Sequence, residues 1–108
     1  MDDSYELRYL PMFYDDVTEK IDYIINVLQN PDAAKNLLDD IEEKILERQP
    51  FAESFEPYHS TKYRAHPYYR IYVHNFIVFY VVIREQGTSP IMEVRRFLYN
   101  RQAHTGII

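Results

Sequence analysis

Phe76-Ile77-Val78-Phe79-Tyr80-Val81-Val82-Ile83 is an uncharged run of eight residues rich in β-branched and aromatic side chains. It is too short for a buried helix and too apolar for a half-exposed strand, so it reads as a central strand covered on both faces. A chain that contains it needs strands to pair with it and other elements to cover it.

The rest of the chain supplies candidates for both roles. Tyr69 to His74 alternates, with Ile71 and Val73 on one face and Arg70, Tyr72 and His74 on the other, as in a half-buried strand. Gln86-Gly87-Thr88-Ser89-Pro90 is a turn leading into a last strand from Ile91 to Tyr99. At the other end, Tyr5 to Leu10 forms a first strand stopped by Pro11. From Phe13 the apolar spacing becomes helical through Val17, Ile21, Ile24, Ile25 and Leu28, with Asp15, Asp16, Glu19 and Asp22 near the start, where the helix dipole favours anions. Asn30-Pro31-Asp32 restarts a helix that follows Ala34, Leu37, Leu38, Ile41 and Ile45 until Pro50, and so short a connection makes the pair an antiparallel hairpin. Residues 50–67, with three prolines, predict a long, irregular, exposed connection. The predicted order is β-α-α-β-β-β: an α+β domain over residues 1–108, with a helical hairpin packed on a small, mainly antiparallel sheet. Residues 102–108 form a frayed tail.

Composition narrows the function classes. With no cysteine there is no disulfide, thiolate metal site or cysteine nucleophile. Two glycines are too few for a phosphate-binding loop or dinucleotide fingerprint, so no nucleotide cofactor is expected. His59, His66 and His74 match no helix-face ligand pair and lack nearby acids, so no metal is expected either. Asp39-Asp40 and Glu42-Glu43 read as a solvated helix face. The acidic N-terminus and the absence of an apolar run of roughly 20 residues predict a cytoplasmic protein that does not enter membranes.

Charge is divided along the chain. Residues 1–56 hold 15 Asp and Glu against 5 Lys and Arg, while residues 57–108 hold 2 against 7, within a net charge of −5. No acid occurs between Pro57 and Arg84, so a site for an anionic ligand or partner belongs to the second half. Arg70 and Tyr72 share a strand face, and Arg101 follows Tyr99 at the end of the last strand. Guanidinium and phenol groups converging there would suit a phosphodiester, with Arg70 and Arg101 stabilising charge and His74, Tyr72 or Tyr99 carrying protons. Lys62, Arg64 and Arg96 are further candidates for nucleic-acid or partner binding. Arg95 and Arg96 alternate sides, so at least one is free to pair with the helical acids.

The predicted order, together with Tyr69-Arg70-Ile71-Tyr72-Val73-His74-Asn75-Phe76-Ile77-Val78-Phe79-Tyr80, Val94-Arg95-Arg96-Phe97-Leu98-Tyr99-Asn100-Arg101-Gln102 and Leu10-Pro11-Met12-Phe13-Tyr14-Asp15-Asp16-Val17, resembles the RelE/ParE superfamily of toxin-antitoxin toxins. The resemblance implies a small bacterial toxin neutralised by a cognate antitoxin that wraps over its sheet and helices. RelE-like members cleave mRNA in the ribosomal A site, and ParE-like members poison DNA gyrase. Arg70 and Arg101 fall on basic positions of the family. Tyr72 and Ile77 stand where RelE has cations, and Tyr99 where many ParE-like members show histidine. With the net acidic charge, these departures favour a ParE-like or divergent toxin over a ribosome-dependent endoribonuclease. A non-toxic protein-binding module on the same scaffold is the alternative.

Overall fold

The computed structural model describes residues 4–58 and 65–101. Strand β1 (Glu6–Tyr9) leads into helices α1 (Pro11–Asn26) and α2 (Pro31–Arg48), a short 3-10 turn (Gln49–Phe51), and strands β2 (Tyr69–Val73), β3 (Phe76–Ile83) and β4 (Ile91–Tyr99). The described strands form one sheet in the order β1-β4-β3-β2, parallel between β1 and β4 and antiparallel elsewhere. Helix α1 lies against β4 and α2 against β2. This is the expected α+β arrangement, although two strands, β3 and β4, are interior to the sheet.

The helices begin as their sequences dictate. Pro11 does more than stop β1: it occupies the first turn of α1, where a missing N–H costs nothing. Because α1 starts two residues before Phe13, Asp15 and Asp16 fall outside its first turn, and the expected interaction with the helix dipole gives way to another role for Asp16. Asn30 caps α2 by accepting from the Ala33 N–H at 3.1 Å, with Pro31 next to it. Between the helices Gln29 takes a left-handed conformation, φ 52°. The apolar stripes are narrower than periodicity suggested. Leu28, 56% exposed, lies beyond the end of α1, and Ile25 and Leu38 also face outward.

Two apolar clusters cover the sheet. On the helical side, Phe13, Leu37, Ile41 and Ile45 pack on Ile71, Val73, Val78, Tyr80, Val94 and Phe97. On the opposite side, Ile77, Phe79, Val81 and Leu98 pack with Tyr68, and Tyr58 adds a partly buried ring. Tyr58 and Tyr68 both meet Phe79 edge-on, at 5.7 and 5.9 Å between centroids, and the Tyr58 N–H donates to the Tyr68 carbonyl at 2.6 Å. The described part of the connection over residues 50–67 is mostly exposed, as expected, with Tyr58 half-buried, while Tyr68 just beyond it is buried, because β3 needs cover on its second face.

Strand β1 is only four residues long and its pairing stops at Tyr9 opposite Val94, so among the described residues the second half of β4 has no strand beside it on that edge. Helix α1 fills the gap. Phe13 meets Phe97 edge-on, and one Asp16 carboxylate accepts from Arg96 Nε at 2.7 Å, Arg96 Nη2 at 3.1 Å and the Phe97 N–H at 2.9 Å. The pair is substantially buried, with Asp16 12% exposed. Elsewhere the Tyr80 hydroxyl donates to the Ala52 carbonyl at 2.7 Å and accepts from Arg48 Nη1 at 3.0 Å, which ties the end of the helical layer to β3. Glu53 accepts from Tyr5 at 2.9 Å and pairs with Arg84, joining the residue before β1, the loop after α2 and the residue after β3.

Removing the Asp16 carboxylate strands a guanidinium and a backbone donor at once. Asp16→Ala is expected to cost about 2 to 3 kcal/mol in urea unfolding, with Asp16→Asn costing less because one amide oxygen still serves the Phe97 N–H. The Glu53 junction carries a pH signature. Burial pushes the Glu53 carboxyl up, but hydrogen bonds from Arg84 and Tyr5 and the Arg84 charge outweigh it and hold the group below its ordinary value. A depressed carboxyl contributes stability that is present above the unfolded pKa, roughly 4.3, and is lost as pH falls through the folded value. Urea midpoints taken from pH 6 down to pH 3 should therefore fall less steeply for Glu53→Gln than for the parent chain.

Candidate functional site

The expected cluster of guanidinium and phenol groups divides into two places. Arg70 lies on the sheet face away from the helices, since its β3 partner, Phe79, belongs to that cluster. Its guanidinium sits 5.0 Å from the Tyr58 ring centroid and 5.8 Å from that of Tyr72, two tyrosines that hold the charged head by cation–π contact. Tyr72 follows on the same face of β2, 55% exposed. Because β2 is an edge strand, this arginine and tyrosine form an open rim. Around the edge, Arg48 donates to the Arg70 carbonyl at 3.0 Å and stacks 3.5 Å from the centroid of the exposed Phe55.

The second place is the end of the sheet where β4 runs out beside the β2–β3 turn. Tyr99 pairs with Phe76 and packs against its ring at 4.7 Å, which puts Tyr99 on the helical side and not on the Arg70 face. The Asn100 N–H donates to the Asn75 carbonyl at 2.9 Å, and Asn75, Tyr99, Asn100 and Arg101 line an open groove. Arg70 pairs with Phe79, three residues from Phe76 along β3, so Tyr99 and Arg101 are at least roughly 10 Å farther along the sheet. Arg70 and Arg101 are therefore offset along the sheet, at different positions of its backbone.

His74 also departs from its expected position. Strand β2 ends at Val73, and His74 is the first turn residue, with φ 54°. Leaving the strand frees its ring from the alternation, and Nε2 lies 2.6 Å from Asp40 on α2. The alternation placed His74 with Arg70 and Tyr72; the positive φ turns it toward the helices instead.

Arg96 is engaged by Asp16, which keeps its guanidinium charged and raises its pKa above the ordinary value. Arg95 is the extra residue of a β-bulge between the Phe79–Arg96 and Tyr80–Val94 pairs, and it donates to Glu93 at 2.8 Å. Glu93 is buried and also accepts from Arg8 across the β1–β4 ladder at 3.0 Å. Lys62 and Arg64 lie outside the described residues.

Two features were not anticipated from the sequence. Lys20, on the inward stripe of α1, is 2% exposed and its Nζ stands 5.5 Å from the Tyr99 ring centroid. Its spacing after Phe13 and Val17 could have flagged it, because a lysine in an apolar register is unusual. The other is a cleft between the helices, lined by Tyr9, Phe13, Tyr14, Val17, Leu38, Ile41, Glu42, Ile45 and Leu46, with Tyr14, Leu38 and Leu46 substantially exposed at its lip. The helical periodicity was there, but it could not say which apolar residues the sheet leaves uncovered.

The arrangement can offer cations and aromatic rings to a partner at two places and an apolar cleft at a third. Among the described residues no helix is long and apolar enough to cross a membrane. No curated protein matches the chain. A solved structure described as "Chromosomal ParDE TA system from P. aeruginosa" superposes with a TM-score of 0.66 at 17% identity, covering 91% of this chain and 98% of the other, a likeness of fold. The model of the family described as "ParE toxin of type II toxin-antitoxin system, parDE" matches residues 7–100. With the order β-α-α-β-β-β and most of its length inside that match, the chain belongs to the ParE toxins of type II toxin-antitoxin systems.

Proposed function

We propose that this toxin arrests growth in the cytoplasm by binding a protein target, DNA gyrase in the first instance, and that it does not cleave RNA. The observation that carries the reading is the separation of Arg70 from Arg101. Cleavage through a 2′-hydroxyl needs a base, an acid and a cation within hydrogen-bond reach of one phosphate. Here Tyr99 lies on the helical side, His74 is paired with Asp40 and Arg96 with Asp16. Arg70 with Tyr72, and Arg101 with Tyr99, suit contacts to a protein surface, where arginine and tyrosine contribute most per residue.

The cognate antitoxin is the second partner. The cleft between α1 and α2 is apolar at its base with exposed Tyr14, Leu38 and Leu46 at its lip, which suits the apolar face of an amphipathic helix. Acids along the hairpin, Glu42 among them, favour basic residues on the flanks of that helix.

Induction of the chain alone in bacteria should stop growth, with messages intact by primer extension and supercoiling by purified gyrase inhibited by the purified protein. Codon-positioned cuts in mRNA with supercoiling unaffected would show the nuclease reading to be correct. Unimpaired growth with soluble protein present would mean a non-toxic binding module. Arg101→Ala is expected to restore colony formation by roughly tenfold or more, the scale of losing one charged contact at an interface.

A further inference from the structure

Helix α1 turns Phe13, Val17, Lys20 and Ile24 inward at i, i+4, i+7 and i+11, the spacing of one buried stripe. Lys20 is 2% exposed, as buried as Leu37 in the core. A methionine of similar length would fill the same space without desolvating an ammonium, so packing does not explain a lysine there. Besides the Tyr99 ring, its one hydrogen-bond partner among the described residues is Glu19 Oε1, at 3.2 Å. Glu19 is the preceding residue and its side chain is 74% exposed, so it reaches the amine from the solvent side, and its other electrostatic neighbour is Arg96, itself already paired with Asp16. Such a carboxylate is a replaceable counter-ion, and it marks where an anion can meet Lys20. The Tyr99 ring beside Lys20 also lines the groove shared with Asn75, Asn100 and Arg101. Among the described residues Arg101 is exposed and has no acidic partner.

We propose that Lys20, beside the Tyr99 ring, and Arg101, which lines a groove with Tyr99, form a carboxylate-binding site at the end of the sheet, and that an Asp or Glu side chain of a protein partner displaces Glu19 to occupy it. The assignment rests on the reading of this toxin as a binder of proteins. The carboxylate belongs to the growth-arrest target or to the antitoxin. Burial gives the site its strength, since a cation shielded from water interacts more strongly with an incoming anion than a solvated one does. It also gives the site an off state, because Glu19 neutralises Lys20 until the partner arrives.

Acetate is a direct probe of the site, followed by NMR at the Lys20 amine and the Tyr99 ring of the full chain. Acetate should shift both signals in the parent protein, bind several-fold more tightly to Glu19→Gln and leave the Tyr99 ring of Lys20→Met unmoved, while Lys20→Met melts no lower than the parent. Acetate that shifts neither signal, or that moves Tyr99 equally in Lys20→Met, overturns the site. Gyrase inhibition and rescue of growth by co-expressed antitoxin then identify the source. Weaker inhibition by Lys20→Met assigns the carboxylate to the target, and intact inhibition with weaker rescue assigns it to the antitoxin. If neither changes, the partner assignment is wrong. A parent chain that inhibits nothing sinks the proposed target while the acetate titration still decides the site.

Discussion

One carboxylate, Asp16, closes the sheet where β1 runs out. Beyond Val94 the outer edge of β4 has no neighbouring strand among the described residues, and an open edge leaves backbone donors in need of partners. Asp16 meets that need by accepting the Phe97 N–H together with both arms of the Arg96 guanidinium. Phe13, one turn before it, and Lys20, one turn after, continue the contact from Phe97 to Tyr99. A single helix stripe thus does the work of the missing strand and sets the position of the sheet end that carries Tyr99 and Arg101.

The second face of the sheet follows from the apolar content of β3. Eight uncharged residues cannot leave one side to water, and Tyr58 and Tyr68 return across Phe79 to help cover it. That cover has a functional consequence. Arg70 emerges beside Tyr58 and Tyr72, so its guanidinium is presented on an aromatic support at the edge of the sheet. Held this way, the side chain has less rotamer freedom to lose on meeting a partner.

The uneven distribution of charge along the chain is partly offset in space. Asp16 neutralises Arg96, Asp40 meets His74 and Glu53 pairs with Arg84, each an acid from the first half joined to a basic group from the second. His74 and Arg84, among the described residues of the acid-free stretch, are thus engaged by acids of the first half. Among the described residues of the second half, what remains for partners is local: Arg70 at the β2 edge, and Arg101 at the end of β4 beside the shielded Lys20 of α1. Local cations of this kind suit a protein surface better than the extended phosphate backbone of a nucleic acid, which rewards many contacts at once.

Element order, the Asn30 cap, the burial of Phe76 to Val82 and the membership of Arg70 and Tyr72 on one face were all legible in the sequence, because periodicity and capping depend on neighbours within a few residues. The position of His74 was not, since a positive φ at a turn redirects a side chain that alternation alone assigns to the strand. Nor was the separation of Arg70 from Arg101, which depends on the register of β3 with both its neighbours. Lys20 and Asp16 stood in plain view as charged residues on an amphipathic helix. Only the packing of α1 on the open edge of β4 decided that one would close the sheet and the other would be buried beside Tyr99, because that edge exists only where the four residues of β1 end.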